Sequence, residues 1–91
     1  MNYEWDPRKA AANYRTHSVR FADAVPVFMD ERALTREDLH ADEDRYVTLG
    51  MDALARVIVV VWTWRRDVVR IISARRATAG EREWYSRSEW P

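Results

Sequence analysis

No cysteine occurs in the 91 residues, which rules out a disulfide framework and any thiolate metal site. Histidine is nearly as scarce, with only His17 and His40, and this argues against a structural zinc. Glycine is limited to Gly50 and Gly80, so no glycine-rich phosphate loop of the Walker or dinucleotide type can form. The longest apolar run, residues 57–64, is far short of the ~20 residues that span a bilayer. The opening stretch, Met1-Asn2-Tyr3-Glu4-Trp5-Asp6, is charged at once and lacks an apolar h-region, so no signal peptide is expected. Internal repeats and low-complexity segments are absent as well. These absences lead to the expectation of one cytoplasmic domain over residues 1–91, with no membrane contact, no metal and no cofactor. A chain this short buries only about 60–65% of its unfolded surface, so its stability is modest and a partner binding the native state would raise it.

Charge is present in balance but unevenly placed. Residues 1–55 carry seven Lys/Arg and eleven Asp/Glu, net −4, whereas residues 56–91 carry eight and four, net +4. A basic C-terminal half attracts polyanions by neutralising phosphates, although surface arginines that merely solubilise a sheet give the same count. No helix-turn-helix pattern with a basic recognition helix appears, which leaves direct DNA binding without support.

Asp6 followed by Pro7 reads as an N-cap with proline at the first helical position, opening a helix to about His17. Lys9, Asn13 and His17 recur along it as one polar stripe. Phe21, Ala22, Val25 and Phe28 restart a helical spacing, which Pro26 kinks or turns irregular. Residues 30–44 are acidic and poorly patterned, with a short strand expected at Ala33-Leu34-Thr35 and then a loop. Residues 45–50 alternate as a half-buried strand. Val57-Ile58-Val59-Val60-Val61-Trp62 is the β-branched run of a central strand buried on both faces.

Arg65-Arg66-Asp67 is a polar turn, and residues 68–74 form the next strand. Val69, Ile71 and Ser73 are expected on one face, with Val68, Arg70 and Ile72 on the other. Strands this close form an antiparallel hairpin. Thr78 and Glu81 make a capping box that opens a last helix carrying Trp84 and Tyr85. The expected fold is α+β: an antiparallel sheet of three to four strands with two N-terminal helices and one C-terminal helix.

Three blocks of residues carry a family resemblance. Trp5-Asp6-Pro7-Arg8-Lys9, with Asn13, His17, Val19, Phe21 and Ala24, is similar to the opening of BrnT toxins, roughly W-D-x-x-K-x-x-x-N-x-x-K-H-G-V-x-F-x-x-A. Residues 45–50 resemble that family's E-R-x-x-x-x-G strand. Ile71-Ile72-Ser73-Ala74-Arg75-Arg76-Ala77-Thr78, then Glu81-Arg82 and Tyr85, resembles its closing I-I-S-A-R-x-A-T-x-x-E-R-x-x-Y. The chain departs from the pattern at Thr16, where the family has lysine, at Ser18 in place of glycine, and at Asp44 in place of glutamate. The glycine-to-serine change suggests that position 18 needs no positive φ.

The resemblance implies a RelE-like fold and cleavage of RNA without a metal. It implies neutralisation by a BrnA-type antitoxin that supplies the DNA-binding domain of an autorepressing complex, so DNA is met only through the antitoxin. It leaves room for higher-order toxin–antitoxin assembly.

Metal-independent cleavage uses the ribose 2′-OH as nucleophile. The enzyme must help remove its proton, stabilise the pentavalent phosphate and protonate the leaving 5′-oxygen. Arginine suits the phosphate, since its fork donates bidentately. Arg75 and Arg76 leave the end of the last strand and are candidate phosphate clamps, with Arg70 a third if its face is open. His17 ends a helix, where the dipole suits a cationic imidazole and thus a general acid, or equally a structural cap. Lys9, Arg45, Ser73 and Tyr85 are candidate RNA contacts, each with a bland alternative in solvation, strand bonding or packing. Glu81 is first a capping residue and only second a possible base. Among the tryptophans, Trp62 is expected in the core and Trp90 at a surface, where tryptophan marks partner contacts. A rival reading remains open at this point: a toxin-fold interaction module that binds an antitoxin or a DNA-bound regulator without cleaving RNA. The basic half and its neighbouring strands are expected to receive an acidic antitoxin segment across residues 70–76 and the last helix.

Overall fold

The computed structural model describes residues 2–38 and 42–91. The chain runs through β1 (Asn2–Glu4), α1 (Pro7–His17), α2 (Phe21–Ala24), a 3-10 helix (Val25–Met29), β2 (Leu34–Asp38), β3 (Arg45–Met51), β4 (Val57–Arg65), β5 (Val68–Arg76) and α3 (Ala79–Arg87). The α+β class holds. Among the described residues, however, the sheet has five strands rather than three to four, in the order β1-β5-β4-β3-β2. Nor is it purely antiparallel, because β1 runs parallel to β5, Tyr3 lying opposite Val69. Three residues are too few to show an alternation, and a parallel partner must come from far along the chain, so nothing local announces β1. The strand expected at residues 33–35 runs from Leu34 to Asp38. Part of the loop expected after it, residues 39–41 with His40, lies outside the described residues.

Local chemistry accounts for the helix ends. Asp6 accepts the Arg8 amide at 2.8 Å and Pro7 opens α1 with its φ already set. Ser18 closes α1 at φ 57°, its amide donating to the Tyr14 carbonyl, so the position does require the left-handed conformation despite losing the glycine. Pro26 falls in the tightened 3-10 turn Val25–Met29, where its missing N–H breaks no α-helical bond. The capping box of α3 is complete: Glu81 N–H donates to Thr78 Oγ1 at 3.2 Å and Thr78 N–H to Glu81 Oε1 at 2.8 Å.

The sheet carries a core on each face. One is built from Ile58, Val60, Trp62, Val69, Ile71 and Ala74 with Val19, Phe21, Ala24 and Val27 from the helical segments. The other joins Leu49 and Val59 to Ala77 and Tyr85, with Trp84 and Trp90 packed against it. Ile58, Val59 and Val60 are buried in succession, as a strand covered on both faces demands. Trp62 is 7% exposed and its indole N–H donates to Thr48 Oγ1 at 2.8 Å. A Cβ at Gly50 would stand 2.9 Å from Val27 Cγ1. Close packing therefore dictates glycine there, with no positive φ involved.

One irregularity decides which residues share a face. Val61 lies opposite Ser73 and Trp62 opposite Ile71, leaving Ile72 as the extra residue of a bulge. Beyond the bulge the alternation of β5 is reversed. Ser73 therefore does not join Val69 and Ile71, as strict alternation predicts, but shares the opposite face with Arg70. Ala74 turns inward in its place and is fully buried. Among the described residues, no helix is long and apolar enough to cross a membrane.

Candidate functional site

The end of β5 is where charge gathers. Arg75 lies opposite Val59 and Arg76 opposite Ile58. Val59 belongs to the core under α3 and Ile58 to the core under α1, so the two arginines leave opposite faces of the sheet. Arg75 meets Glu81 in a bidentate pair, Nη1 to Oε1 at 2.8 Å and Nη2 to Oε2 at 2.9 Å. Glu81 Oε1 is the same atom that accepts the Thr78 amide, so the capping box and the ion pair hold each other in place. The Arg75 guanidinium beside it holds the Glu81 carboxyl down to about 2, and the Thr78 amide adds to this against the cost of burial. An acid so readily ionised is a weak base near neutral pH; its place is to orient Arg75. The pairing in turn raises Arg75 above the ordinary arginine value.

Arg75 and Glu81 border a cavity of about 370 Å³ on the α3 face, floored by Val47 and Val59 and walled by Arg36, Asp38 and Trp90. The register puts Arg45, Arg70 and Ser73 on this same face, opposite Thr63, Thr63 and Val61 of β4. Arg45 meets Glu43 at 3.0 Å and Arg70 meets Glu4 at 3.3 Å. These partly exposed pairs contribute little to stability.

Tyr85, 6% exposed, donates its hydroxyl to Asp30 Oδ2 at 2.6 Å. Burial, and then the Asp30 carboxylate, push the phenol up to about 12. Burial also pushes Asp30 up, but the Tyr85 hydroxyl and the Arg32 and Met51 amides outweigh it and leave the carboxyl below its usual value. This pair ties α3 to the turn before β2.

Lys9 and His17 lie exposed on α1, in the other layer. Their stripe is not uniformly solvated, because Asn13 between them is 8% exposed and bonded into β5. The helix end bearing His17 lies at the tip of β5: Arg56 donates to the Ser18 carbonyl at 3.0 Å, and the adjacent Val57 carbonyl accepts the Ala77 amide at 3.0 Å. His17 and Arg76 thus lie in the layer of α1, and Arg75 with Glu81 occupies the face under α3.

The matching family model is described as "Ribonuclease toxin, BrnT, of type II toxin-antitoxin system", and it covers residues 5–81. The chain belongs to the BrnT family of ribonuclease toxins. Among solved structures, the fold is similar to that of the Brucella abortus ribonuclease toxin, BrnT, with a TM-score of 0.66 at 22% identity, over 86% of this chain and 97% of that one. No curated protein matches the sequence. Membership in a type II toxin–antitoxin family implies an antitoxin partner.

In this BrnT-family chain the motif residues divide between two layers. Arg45, Arg70, Ser73, Arg75 and Glu81 share the face under α3, whereas Lys9, His17 and Arg76 lie on the side of α1. β5 is not an open edge for an added strand. Its outer side is taken by β1 at residues 68–70 and by Asn13 at Ala74. Arg36 and Trp90 line the cavity without having been expected there, since they come from β2 and from beyond α3 and no local pattern links them. A second groove, between Trp5, Tyr14 and Phe21 in the helical layer, is largely apolar and lies apart from the Arg75 pair. Among the described residues no group of three or more acidic or histidine side chains is placed to hold a metal ion.

Proposed function

We propose that this ribonuclease toxin is an endoribonuclease that cleaves RNA without a metal, at the tip of β5. The observation that carries the reading is the bidentate lock of Glu81 on Arg75. It fixes one guanidinium over an open, half-apolar cavity in a closing block that the family model covers through residue 81. Arg75 keeps further N–H groups for a phosphate, because two of its five donors are spent on Glu81 and a third on the Arg76 carbonyl at 3.4 Å. Arg76 is exposed beside it. An RNA backbone crossing the tip would meet Arg75 on one side and Arg76 and His17 on the other.

In this scheme the 2′-oxygen attacks phosphorus as its proton passes to water, and the arginines stabilise charge on the phosphorane. His17 gives its proton to the leaving 5′-oxygen. Arg70, Arg45 and Ser73 carry the chain onward over the sheet face, and Lys9 meets it from the helical layer. Tyr85 contributes by bracing α3, its hydroxyl being taken by Asp30. A BrnA-type antitoxin in the cytoplasm would silence the site by laying an acidic segment over Arg70, Arg75 and α3, meeting DNA through its own domain.

Expression of Arg75→Ala, Arg76→Ala and the double variant in cells tests the reading. Loss of growth arrest with an unchanged fold is the expected result, and full toxicity of the double variant would overturn the phosphate role.

A further inference from the structure

The cavity beside Arg75 has a second wall that the cleavage scheme does not use. Arg36 leaves β2 on the α3 face, opposite Val47. Its guanidinium carbon stands 4.1 Å over the centre of the Trp90 ring, and Nη1 donates to the Pro91 carbonyl at 2.6 Å. A guanidinium held on an indole this way is fixed in place, and Arg36 remains exposed. Trp90 is held in turn by the core it packs against. Its indole N–H is buried and has no acceptor among the described residues, although buried donors are ordinarily satisfied. Trp90 also lies beyond the residues the family model covers.

An exposed guanidinium held on an aromatic ring, across an apolar floor from a phosphate-binding arginine, is suited to an unstacked nucleobase. From β5 to β2 is three strand spacings, roughly 14 Å, and the two long arginine side chains close that distance from either end. We propose that Arg36, held over the Trp90 ring, is the nucleobase shelf of the RNA site. The assignment rests on the reading of Arg75 as a phosphate ligand. It makes Arg36 and Trp90 specificity-determining residues: they distinguish a base-bearing strand from a bare sugar–phosphate backbone and leave the bond-breaking groups untouched.

The test uses 2′-O-methyl tetranucleotides, which lack the nucleophile, in four homopolymeric forms and one abasic form, with affinity read by fluorescence anisotropy. The full chain should bind its preferred base-bearing tetranucleotide at least tenfold more tightly than the abasic strand, the scale of one stacked base. Arg36→Lys keeps the charge and loses the plane; Trp90→Leu removes the ring on which the guanidinium is held. Both should erase most of that preference while the abasic affinity stays put, and Arg36 is exposed enough that its variant folds. Arg75→Ala should weaken base-bearing and abasic strands alike.

If both shelf variants discriminate as the parent does, or if the parent shows no preference, the shelf is wrong while the phosphate site stands. If Arg75→Ala changes neither affinity, or the parent binds no strand at all, the RNA site itself is wrong and the shelf falls with it.

Discussion

Asn13 on α1 treats Ala74 on β5 as a neighbouring strand would: its Nδ2 donates to the Ala74 carbonyl at 2.8 Å, and its Oδ1 accepts the Ala74 amide at 3.1 Å. The same Nδ2 also donates to the Val19 carbonyl at 3.0 Å. β1 covers the outer side of β5 only as far as Arg70, so beyond it the ladder would stand open. One side chain closes that gap and fixes α1, with His17 at its end, against the strand that carries Arg75 and Arg76.

Asn13→Ala should therefore lower stability by roughly 2–4 kcal/mol, since it strands a buried amide and two carbonyls at once. Urea unfolding of the variant against the parent measures it. A loss below about 0.5 kcal/mol, within the range of ordinary surface substitutions, would show that water replaces the amide without cost.

Ser18 sits at φ 57° at the C-terminal end of α1, where a Cβ is strained and glycine is not. Ser18→Gly should raise stability by about 1 kcal/mol, or Tm by about 4–8 °C for a domain of this size. A fall in Tm would mean that the added freedom of the unfolded chain outweighs the relief.

The Arg75–Glu81 pair predicts a pH dependence. Arg75 holds the Glu81 carboxyl at about 2 against an ordinary value of 4.5. Its folded value is depressed, so its stabilisation is complete above 4.5 and is lost as the pH falls toward 2. Unfolding midpoints followed from pH 6 to 2 should drop through that window, and Glu81→Gln should remove that part of the slope. An unchanged profile in the variant would place the acid sensitivity elsewhere.

Which side of the β5 tip holds the reacting phosphate is open to kinetics. His17→Ala should reduce cleavage by roughly 10²–10⁴-fold, the range of a lost general acid, with no change in Tm. Wild-type cleavage with a lowered Tm would make His17 a helix cap and confine the chemistry to the Arg75 side.

Much of this architecture is legible in the sequence where chemistry is local. The Asp6-Pro7 start, the Thr78–Glu81 box, the Val57–Val61 run and the short turn between β4 and β5 each announce themselves within a few residues. What fails to show depends on pairing over distance. β1 has three residues and a parallel partner at the far end of the chain. The bulge at Ile72 reverses the faces of Ser73 and Ala74, and no side-chain pattern marks it because Ile71, Ile72 and Ser73 all suit a strand. For the site, the closing motif locates Arg75 and Glu81. That Arg36 and Trp90 stand across the cavity follows only from the tertiary fold.

The central claim is that this chain uses the ribose 2′-OH of RNA and no metal. It is tested most directly by incubating purified protein with an RNA of defined sequence in excess EDTA. A matched strand carries a single 2′-deoxy substitution at the cleaved position, and products are resolved by mass. The account predicts unimpaired cleavage in EDTA, a 2′,3′-cyclic phosphate on the upstream fragment, no cut at the deoxy position, and loss of all cutting in Arg75→Ala. Cleavage that stops in EDTA, or that proceeds through the deoxy position, would contradict it.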